Sequence, residues 1–443
     1  MQSREPAKRL AETIAEFLVN ERYEDLPKEA IKKVKEFTLD VIGCTVGASD
    51  QPQIKALTQV LVAEGGNPHA SVFAHGFKTS MMNAALFKSV AVFPAVFAVG
   101  ERRGAPGKEF LRSFILGLEV MIRLGESLLG KSYYQGFHPT GTCGVFGAAA
   151  ACATIMGLDP LRTKYAIGLA GSFSAGTQEC TGEGAWQKPL QAGHPAMGGV
   201  LAASLAEQSF IGAGTVFDGP YGLIKALSYK DQYDYSRITE TLGKKWEMTE
   251  TSIKVHACCR FSGPVADCAL DLYKQGVRAK DVKWILAKVG EFTVKMLCYP
   301  EERKRKPVTH VDAQFSLPWA TAVAISKNRT GIYEFRGEVL QDPEVLELAQ
   351  KLRWEIDPAA EAMYPKAYPS TLIAELNDGR TFTAHVDYPK GDPENPATKE
   401  EIMGKFHILT EKFFDRERRE RIIDAVGRLE SMANIRELAD LVR

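Results

Sequence analysis

The sequence lacks a surplus of charge of either sign. Its 443 residues include 55 lysines and arginines and 55 aspartates and glutamates, so the formal net charge is zero. Electrostatic binding of nucleic acids or anionic membranes usually needs a basic surface, and we therefore expect no nucleic acid as partner. The 45% hydrophobic content is typical of a globular chain with a large core and excludes a disordered or fibrous protein.

The sequence also lacks a long hydrophobic run. Its most continuous apolar stretch, Val90–Val99, is too short to span a bilayer and contains Pro94. The opening letters, MQSREPAKRL, contain no apolar core of the signal-peptide kind. We therefore expect no membrane partner and a cytoplasmic location.

Cysteines are too few for a disulfide scaffold. The chain has eight, and none have the two-residue spacing of a zinc ribbon or an iron–sulfur binding run. Cys258 and Cys259 are adjacent, and a regular backbone points such neighbours in different directions. We expect reduced thiols and no metal site shared by this pair.

The fold class follows from the spacing of apolar residues. Over the first 250 residues they recur at helical spacing between breaks at proline, glycine or aspartate, which predicts an all-helical large domain over residues 1–265. Its main predicted helices are 52–64, 79–98, 107–128, 142–156, 160–172, 194–209 and 231–241.

The pattern changes after about residue 265, where alternation at 282–289 and 293–296 predicts strands. A hairpin is predicted at Asn377–Gly379, because these residue types tolerate positive φ. Helices are predicted at 265–276, at 312–327 and from Asp342 to about 351. We therefore predict a smaller α+β lid domain at 266–388, followed by a linker and C-terminal helices at 389–443 that return to the helical domain. The fold class is mainly α with an α+β lid.

Two polar clusters lie at predicted helix starts. His138 opens the alanine-rich helix, where free N–H groups favour an anion, and its imidazole is a candidate acid or base. The alternative is a histidine that only caps the helix. Lys188 lies in the glycine-rich stretch 182–190, where a solvated loop lysine is the alternative.

Two more clusters lie near and after the predicted domain boundary. Residues 253–260 bring together Lys254, His256, Arg260 and two thiols, with a surface strand as the alternative; residues 312–319 begin a helix that Asp312 could simply cap. Gathered into one cleft, the cationic groups of these clusters would suit a small polycarboxylate, because arginine grips carboxylates in bidentate fashion and lysine acts as a point charge. A lysine would also stabilise negative charge as a proton leaves the adjacent carbon.

At these residues the chain resembles the MmgE/PrpD family, which includes 2-methylcitrate dehydratase, cis-aconitate decarboxylase and iminodisuccinate epimerase. The stretches that carry the resemblance are GFHPTGTCGVFGAAAA (136–151), GEGAWQKPLQAG (182–193), IKVHACCRF (253–261), DAQFSLPWATAVA (312–324) and YPKGDPENP (388–396). The resemblance implies a helical domain with an α+β lid, a homodimer, no metal or organic cofactor, and lyase or isomerase chemistry on small polycarboxylates.

The resemblance also implies site residues. It places His138, Lys188 and Lys254 in the active site, and we add His256 as a further candidate acid or base. The candidate substrate-binding residues are Thr140, Arg260, Gln191 and Trp319.

The chain departs from the family pattern at one loop and three single positions. Family members usually follow the helix that holds Asn83 with an Asp- and His-rich loop, but here no Asp or His lies between Asn83 and Gly100. Histidine is common in the family where this chain has Gln191 and Gly263, and tyrosine is frequent where it has Trp319. Because elimination next to a carboxylate needs a positioned base, two hypotheses stay open. One is a cofactor-independent lyase or isomerase, and the other is a non-catalytic relative that keeps an anion pocket.

Overall fold

The computed structural model describes residues 9–87, 91–180 and 185–443. By their contacts these residues divide into two units, the second of which is Thr251–Ile408. It begins earlier and ends later than the predicted 266–388, because hydrogen bonds tie the flanking segments into it. The Ile253 N–H, for example, donates to the Gly391 carbonyl at 2.9 Å.

The first unit is built from helices, and it contains the residues up to Glu250 together with Leu409–Arg443. Its helices are Leu10–Asn20, Lys28–Gly47, Pro52–Glu64, Met81–Phe87, Val92–Arg103, Gly107–Ser127, Lys131–Tyr134, Pro139–Thr142, Gly144–Ile155, Pro160–Ala170, Gln187–Glu207, Leu223–Leu227, Ser236–Thr239, Arg416–Gly427 and Arg436–Val442. The structure adds one short antiparallel pair, Ala70–Ser71 with Lys78–Thr79. The helix Lys399–Thr410 contains the boundary between the units.

Most predicted helices of this unit are confirmed within two residues at each end. The helix predicted to begin at 194 begins at Gln187, because Pro195 lies inside it rather than at its start. The helix predicted at 231–241 is shorter in the structure, Ser236–Thr239, and the Asp234 carboxylate accepts from the Ser236 N–H just before it. Residues 88–90, within the predicted helix 79–98, lie outside the described residues.

The helix Gly144–Ile155 is buried along its whole length. Gly147 and Gly117 of the helix Gly107–Ser127 face each other so closely that a Cβ on either would lie 2.6 Å from the carbonyl oxygen of the other. Small residues permit this approach, which fixes the helix and therefore the segment that precedes it.

A buried ion pair fixes the helix Gly107–Ser127 to the later chain. The Arg123 Nε donates to Glu119 Oε1 at 2.7 Å, and both side chains are buried. The guanidinium also donates to Thr241 and to the Lys245 carbonyl, while Glu119 accepts from the Glu247 N–H. Every partner is supplied by the first unit.

The second unit contains a four-stranded sheet in the order Leu352–Ile356, Val282–Val289, Ser370–Leu376, Thr381–Val386. The first two strands are parallel and the other pairs antiparallel. Its helices are Gly263–Lys274, Glu291–Leu297, Glu301–Arg305, His310–Gln314, Leu317–Lys327, Pro343–Gln350 and Pro358–Met363. The predicted fold class, mainly α with a smaller α+β part, is confirmed.

Local predictions in this unit are confirmed where turn chemistry decides them. The hairpin at Asn377–Gly379 is present, with Gly379 at φ +86°. The strand predicted at 293–296 is wrong, because these residues belong to the helix Glu291–Leu297. Four alternating residues do not distinguish a strand from one helical turn.

The segment predicted as the helix 312–327 is interrupted. Ser316 accepts a hydrogen bond from the Trp319 N–H and begins the second helix, Leu317–Lys327. Asp312 is not an N-cap; it is the third residue of a helix that Thr309 caps, and the two side chains form a reciprocal capping box.

All eight cysteines lie among the described residues and none is in a disulfide. Cys44 is exposed, Cys259 is half-buried and the other six are buried. Burial raises the pKa of the Cys143 thiol to about 11 and that of Cys258 to about 12. Within the described ranges, no helix combines the length and apolar character that crossing a membrane would need.

Candidate active site

His138 lies at the start of the buried glycine- and alanine-rich helical region of the first unit. It is the N-cap of the short helix Pro139–Thr142, which leads into Gly144–Ile155. Proline suits the first turn because its missing N–H has no helical partner to lose there. The His138 N–H donates to the Gly176 carbonyl at 3.0 Å. The residue is only 8% exposed, so both its backbone and its ring are held.

Gln191 decides which nitrogen of His138 carries a proton. Its side-chain Nε2 donates to the Thr177 carbonyl at 2.7 Å, so its Oε1 is the atom that lies 2.9 Å from His138 Nδ1. An amide oxygen only accepts, and Nδ1 must therefore be the donor. Nε2 is left with a lone pair, which is the form that a general base requires.

The same surroundings keep the imidazole uncharged. Burial is the main cause that lowers the pKa of His138, to about 4, and the nearby Lys188 ammonium lowers it further. The hydrogen bond to Gln191 acts in the opposite direction but is outweighed. At neutral pH the first unit therefore pairs a neutral histidine with the positive charge of Lys188.

The other predicted residues of this region are close in sequence to these. Lys188 lies at the start of the helix Gln187–Glu207 and is half-buried. Thr140 is the second residue of the helix that His138 caps and is also half-buried. Residues 181–184, which contain most of the glycine-rich part of the predicted loop, lie outside the described residues.

Lys254 lies in the second unit, on a segment without helix or strand. Its side chain is exposed, and among the described residues its ammonium has no hydrogen-bond or ion-pair partner. It lines a shallow pocket whose space, counted with the solvent that opens into it, is about 260 Å³. Cys259, Arg260, Lys390 and Asp392 also line this pocket.

Arg260 was predicted to bind substrate, but its guanidinium is engaged within the protein. Nε donates to the Tyr368 hydroxyl, Nη1 to Ser252 Oγ at 2.6 Å and Nη2 to Asp392 Oδ2 at 2.8 Å. Three of its five N–H groups are thereby used. In this arrangement Arg260 fastens the chain around the pocket.

His256 is engaged on both sides of its ring. Nδ1 lies 2.6 Å from Thr330 Oγ1, and Nε2 lies 2.8 Å from Asp267 Oδ1. In this arrangement both ring nitrogens of the predicted acid or base are engaged within the protein.

Trp319 lies in the hydrophobic core of the second unit with no exposed surface. Its indole N–H donates to the Glu334 carbonyl at 3.1 Å. No face of the ring is left for a substrate, and its role here is packing.

From the sequence we combined the cationic groups of four residues in one cleft, namely His138, Lys188, Lys254 and Arg260, and did not identify the acidic side chains that hold the segment of the last two. Asp267 and Asp392 are the clearest omissions. Asp392 could have been identified from the sequence, because it directly follows Gly391 in the stretch 388–396, which we had treated as a linker. Among the described residues, no three His, Cys, Asp or Glu side chains cluster as a metal site would require.

Comparison with known proteins places this chain among lyase-named relatives. It is 25% identical to a cis-aconitate decarboxylase-like protein, oryM, of Aspergillus oryzae, over 94% of each chain. It is 23% identical to cis-aconitate decarboxylase of Mus musculus, over 85% of this chain and 78% of that one. With 2-methylcitrate dehydratase of Salmonella typhimurium the identity is 26%, over half of each chain.

Two domain models cover most of the chain. The MmgE/PrpD N-terminal domain matches residues 12–92 and 88–236, and the MmgE/PrpD C-terminal domain matches residues 256–431. The two N-terminal stretches meet at 88–92, within the region where the sequence lacks the Asp- and His-rich loop. The chain belongs to the MmgE/PrpD family.

Proposed function

We propose that this protein is a cofactor-independent lyase or isomerase that removes a proton next to a carboxylate of a small di- or tricarboxylate. The observation that carries the proposal is the state of His138: a neutral imidazole with its lone pair on Nε2, beside the ammonium of Lys188. A base and a cation at one place suit a carbon acid whose neighbour is a carboxylate.

In this proposal Lys188 binds a substrate carboxylate and His138 Nε2 accepts the proton from the adjacent carbon. The electron pair left on that carbon either expels the neighbouring hydroxyl, which leaves as water with the proton that His138 took up, as in a dehydration, or takes up a proton from solvent on the other face, as in an isomerisation. In the second case His138 then releases its proton to solvent. Lys188 stabilises the negative charge in both cases. Within the second unit, the exposed Lys254 ammonium offers a cation to a carboxylate.

Substrate binding would also strengthen the base. The Lys188 charge is one of the two causes that lower the His138 pKa. A carboxylate bound to Lys188 offsets that charge and favours the protonated imidazole. The base therefore gains proton affinity when its substrate is present.

Turnover of cis-aconitate, 2-methylcitrate and iminodisuccinate tests the proposal, with ultraviolet absorbance to detect the conjugated double bond that dehydration of 2-methylcitrate forms and chromatography of the products for the other two acids. We expect turnover of at least one of these acids, and a loss of about 100-fold or more in kcat/KM in His138→Gln. His385→Gln, a substitution on an exposed strand of the second unit, serves as the control. Turnover that is unchanged in His138→Gln would remove His138 from the reaction.

A second candidate is a non-catalytic relative that binds the same acids. Two observations favour it: the low basicity of His138 and the absence of Asp and His from residues 84–99. Thermal stabilisation by citrate without turnover of any of the three acids would support this alternative. A homodimer and a cytoplasmic location are further proposals.

A further inference from the structure

The segment that presents Lys254 has no regular secondary structure of its own. Residues 252–260, here called the Lys254 segment, contain neither helix nor strand up to Cys259, Arg260 begins the short 3₁₀ helix Arg260–Ser262, and the Lys254 side chain is exposed. Its position therefore depends on the backbone that bears it. That backbone contacts residues 389–395, here called the Gly391 loop, which lie against it in the same unit.

Two direct contacts join the Lys254 segment to the Gly391 loop. The Ile253 N–H donates to the Gly391 carbonyl at 2.9 Å, and Arg260 pairs with Asp392 at 2.8 Å. Gly391 has φ +96°, and a Cβ there would lie 1.8 Å from the Ile253 carbonyl oxygen. Only glycine permits this close approach without moving the Lys254 segment and the Gly391 loop apart.

Asp267 of the helix Gly263–Lys274 makes a third contact that reaches both partners at once. Its Oδ1 lies 2.8 Å from His256 Nε2, in the Lys254 segment. Its Oδ2 accepts from the Lys390 backbone N–H at 2.7 Å, in the Gly391 loop. One carboxylate on a regular helix thus holds both irregular segments that line the pocket.

We propose that Asp267 is a positioning residue that holds the Lys254 ammonium in place for carboxylate binding. The inference rests on the proposed function for the role of Lys254 in carboxylate binding. That Asp267 holds the Lys254 segment against the Gly391 loop does not depend on that function. His256 is the intermediary: Thr330 holds one ring nitrogen and Asp267 the other, so the ring fixes the backbone two residues after Lys254. Asp267 acts through these contacts and touches no substrate.

Hydrogen exchange tests, without any substrate, whether Asp267 holds the Lys254 segment and the Gly391 loop in place. In Asp267→Asn only one accepting oxygen remains: the amide either gives up the Lys390 N–H or turns its own N–H toward His256 Nε2, and both contacts lose the negative charge. We expect the backbone amides of Ile253, Ala257 and Lys390 to exchange about tenfold faster or more. The control is Asp271→Asn, one turn along the same helix, where the exposed carboxylate accepts from Gln275 Nε2 at 3.2 Å. Unchanged protection in Asp267→Asn would overturn the proposal.

A double-mutant cycle with Lys254→Met tests the link to binding. The quantity compared among the variants is kcat/KM for cis-aconitate or 2-methylcitrate, depending on which acid the protein turns over. If it turns over neither, the quantity is the affinity for citrate measured by calorimetry. We expect Asp267→Asn to lower this quantity about tenfold alone and to cause no further loss in Lys254→Met. Fully additive losses would show a merely structural role and overturn the proposal. If Lys254→Met alone has no effect, the proposed role of Lys254 fails, while the exchange result stands by itself.

A second variant guards against poor folding of Asp267→Asn. Gly391→Ala should reproduce faster exchange at Ile253 and the loss of affinity, because its new methyl group pushes against the Ile253 carbonyl. Gly379→Ala is the matched control: Gly379 has φ +86°, but a Cβ there meets no atom within 4 Å. If Gly379→Ala changed the exchange at Ile253 and the affinity as much as Gly391→Ala does, backbone strain alone would explain the effect. The contact with the Lys254 segment would then not be its cause, which would count against the proposal.

Discussion

Gln191 Oε1 lies 2.9 Å from His138 Nδ1 while the nitrogen of the same amide donates to the Thr177 carbonyl. A group that does not ionise therefore fixes the tautomer of a buried imidazole. A carboxylate in the same place would also orient the ring, but it would favour the charged form. Here the ring is oriented and stays neutral.

Gln191→Glu should raise the pKa of His138 from about 4 by one unit or more, because the new carboxylate favours the imidazolium. Titration of the His138 ring by NMR measures the shift directly. Gln191→Leu is the companion variant: it removes the acceptor from Nδ1, and we expect nitrogen shifts that indicate a mixture of tautomers. An unchanged titration in Gln191→Glu would contradict this account of the contact.

The pH dependence of turnover should differ between free and substrate-bound protein. We expect kcat/KM to fall as the pH falls through about 4, because His138 of the free protein takes up a proton there. The corresponding limb of kcat should lie at higher pH, because a bound carboxylate offsets Lys188. Circular dichroism at each pH separates the titration from acid unfolding. Coincident limbs would argue against a carboxylate beside Lys188.

Folding stability should depend on His138 with a definite sign. Its pKa is about 4 in the folded chain and about 6.5 when unfolded, so acid favours the unfolded state. The stabilising contribution is complete above pH 6.5 and is lost as the pH falls from 6.5 to about 4. Urea unfolding should show the wild type losing about 2–3 kcal/mol more than His138→Gln across this range. Parallel losses in the two proteins would contradict the buried neutral state.

Arg123→Met should destabilise the first unit by about 3–5 kcal/mol, because it leaves the buried Glu119 carboxylate without its cation. Burial already raises the pKa of Glu119 with Arg123 present. Arg162→Met is the control, since Arg162 and Asp159 lie 3.5 Å apart with both side chains about half exposed, and we expect a loss below about 1 kcal/mol. Chemical denaturation measures both variants, and similar losses would show that burial of the pair is not what matters.

Those parts of the fold that depend on neighbouring residues could be predicted from the sequence. Proline and aspartate begin helices at Pro52, at Pro160 and at Asp342–Pro343 as expected. The strand Leu352–Ile356 was missed because its pairing is distant: it lies parallel to Val282–Val289. Such a strand is fixed by its partner and not by its own few residues.

The site shows the same division between local and distant information. The position of His138 at the start of a helix could be predicted, because a histidine before proline is visible in the sequence. The His138 tautomer could not, since it depends on Gln191, which is 53 residues away. Arg260 was predicted as a ligand group, but Asp392, 132 residues later, engages it within the protein. The charge of Arg260 could therefore be predicted from the sequence, whereas the partner that its guanidinium binds could not.

The distribution of thiols makes the protein suitable for site-selective chemical labelling without redesign. Maleimide dyes need a reachable sulfur, and Cys44 on the helix Lys28–Gly47 is the exposed one among the eight. A fluorophore attached there would report on tumbling and assembly. Cys259 lines the Lys254 pocket and is half-buried, so the slower reagent uptake expected there would show directly whether an added acid shields that pocket.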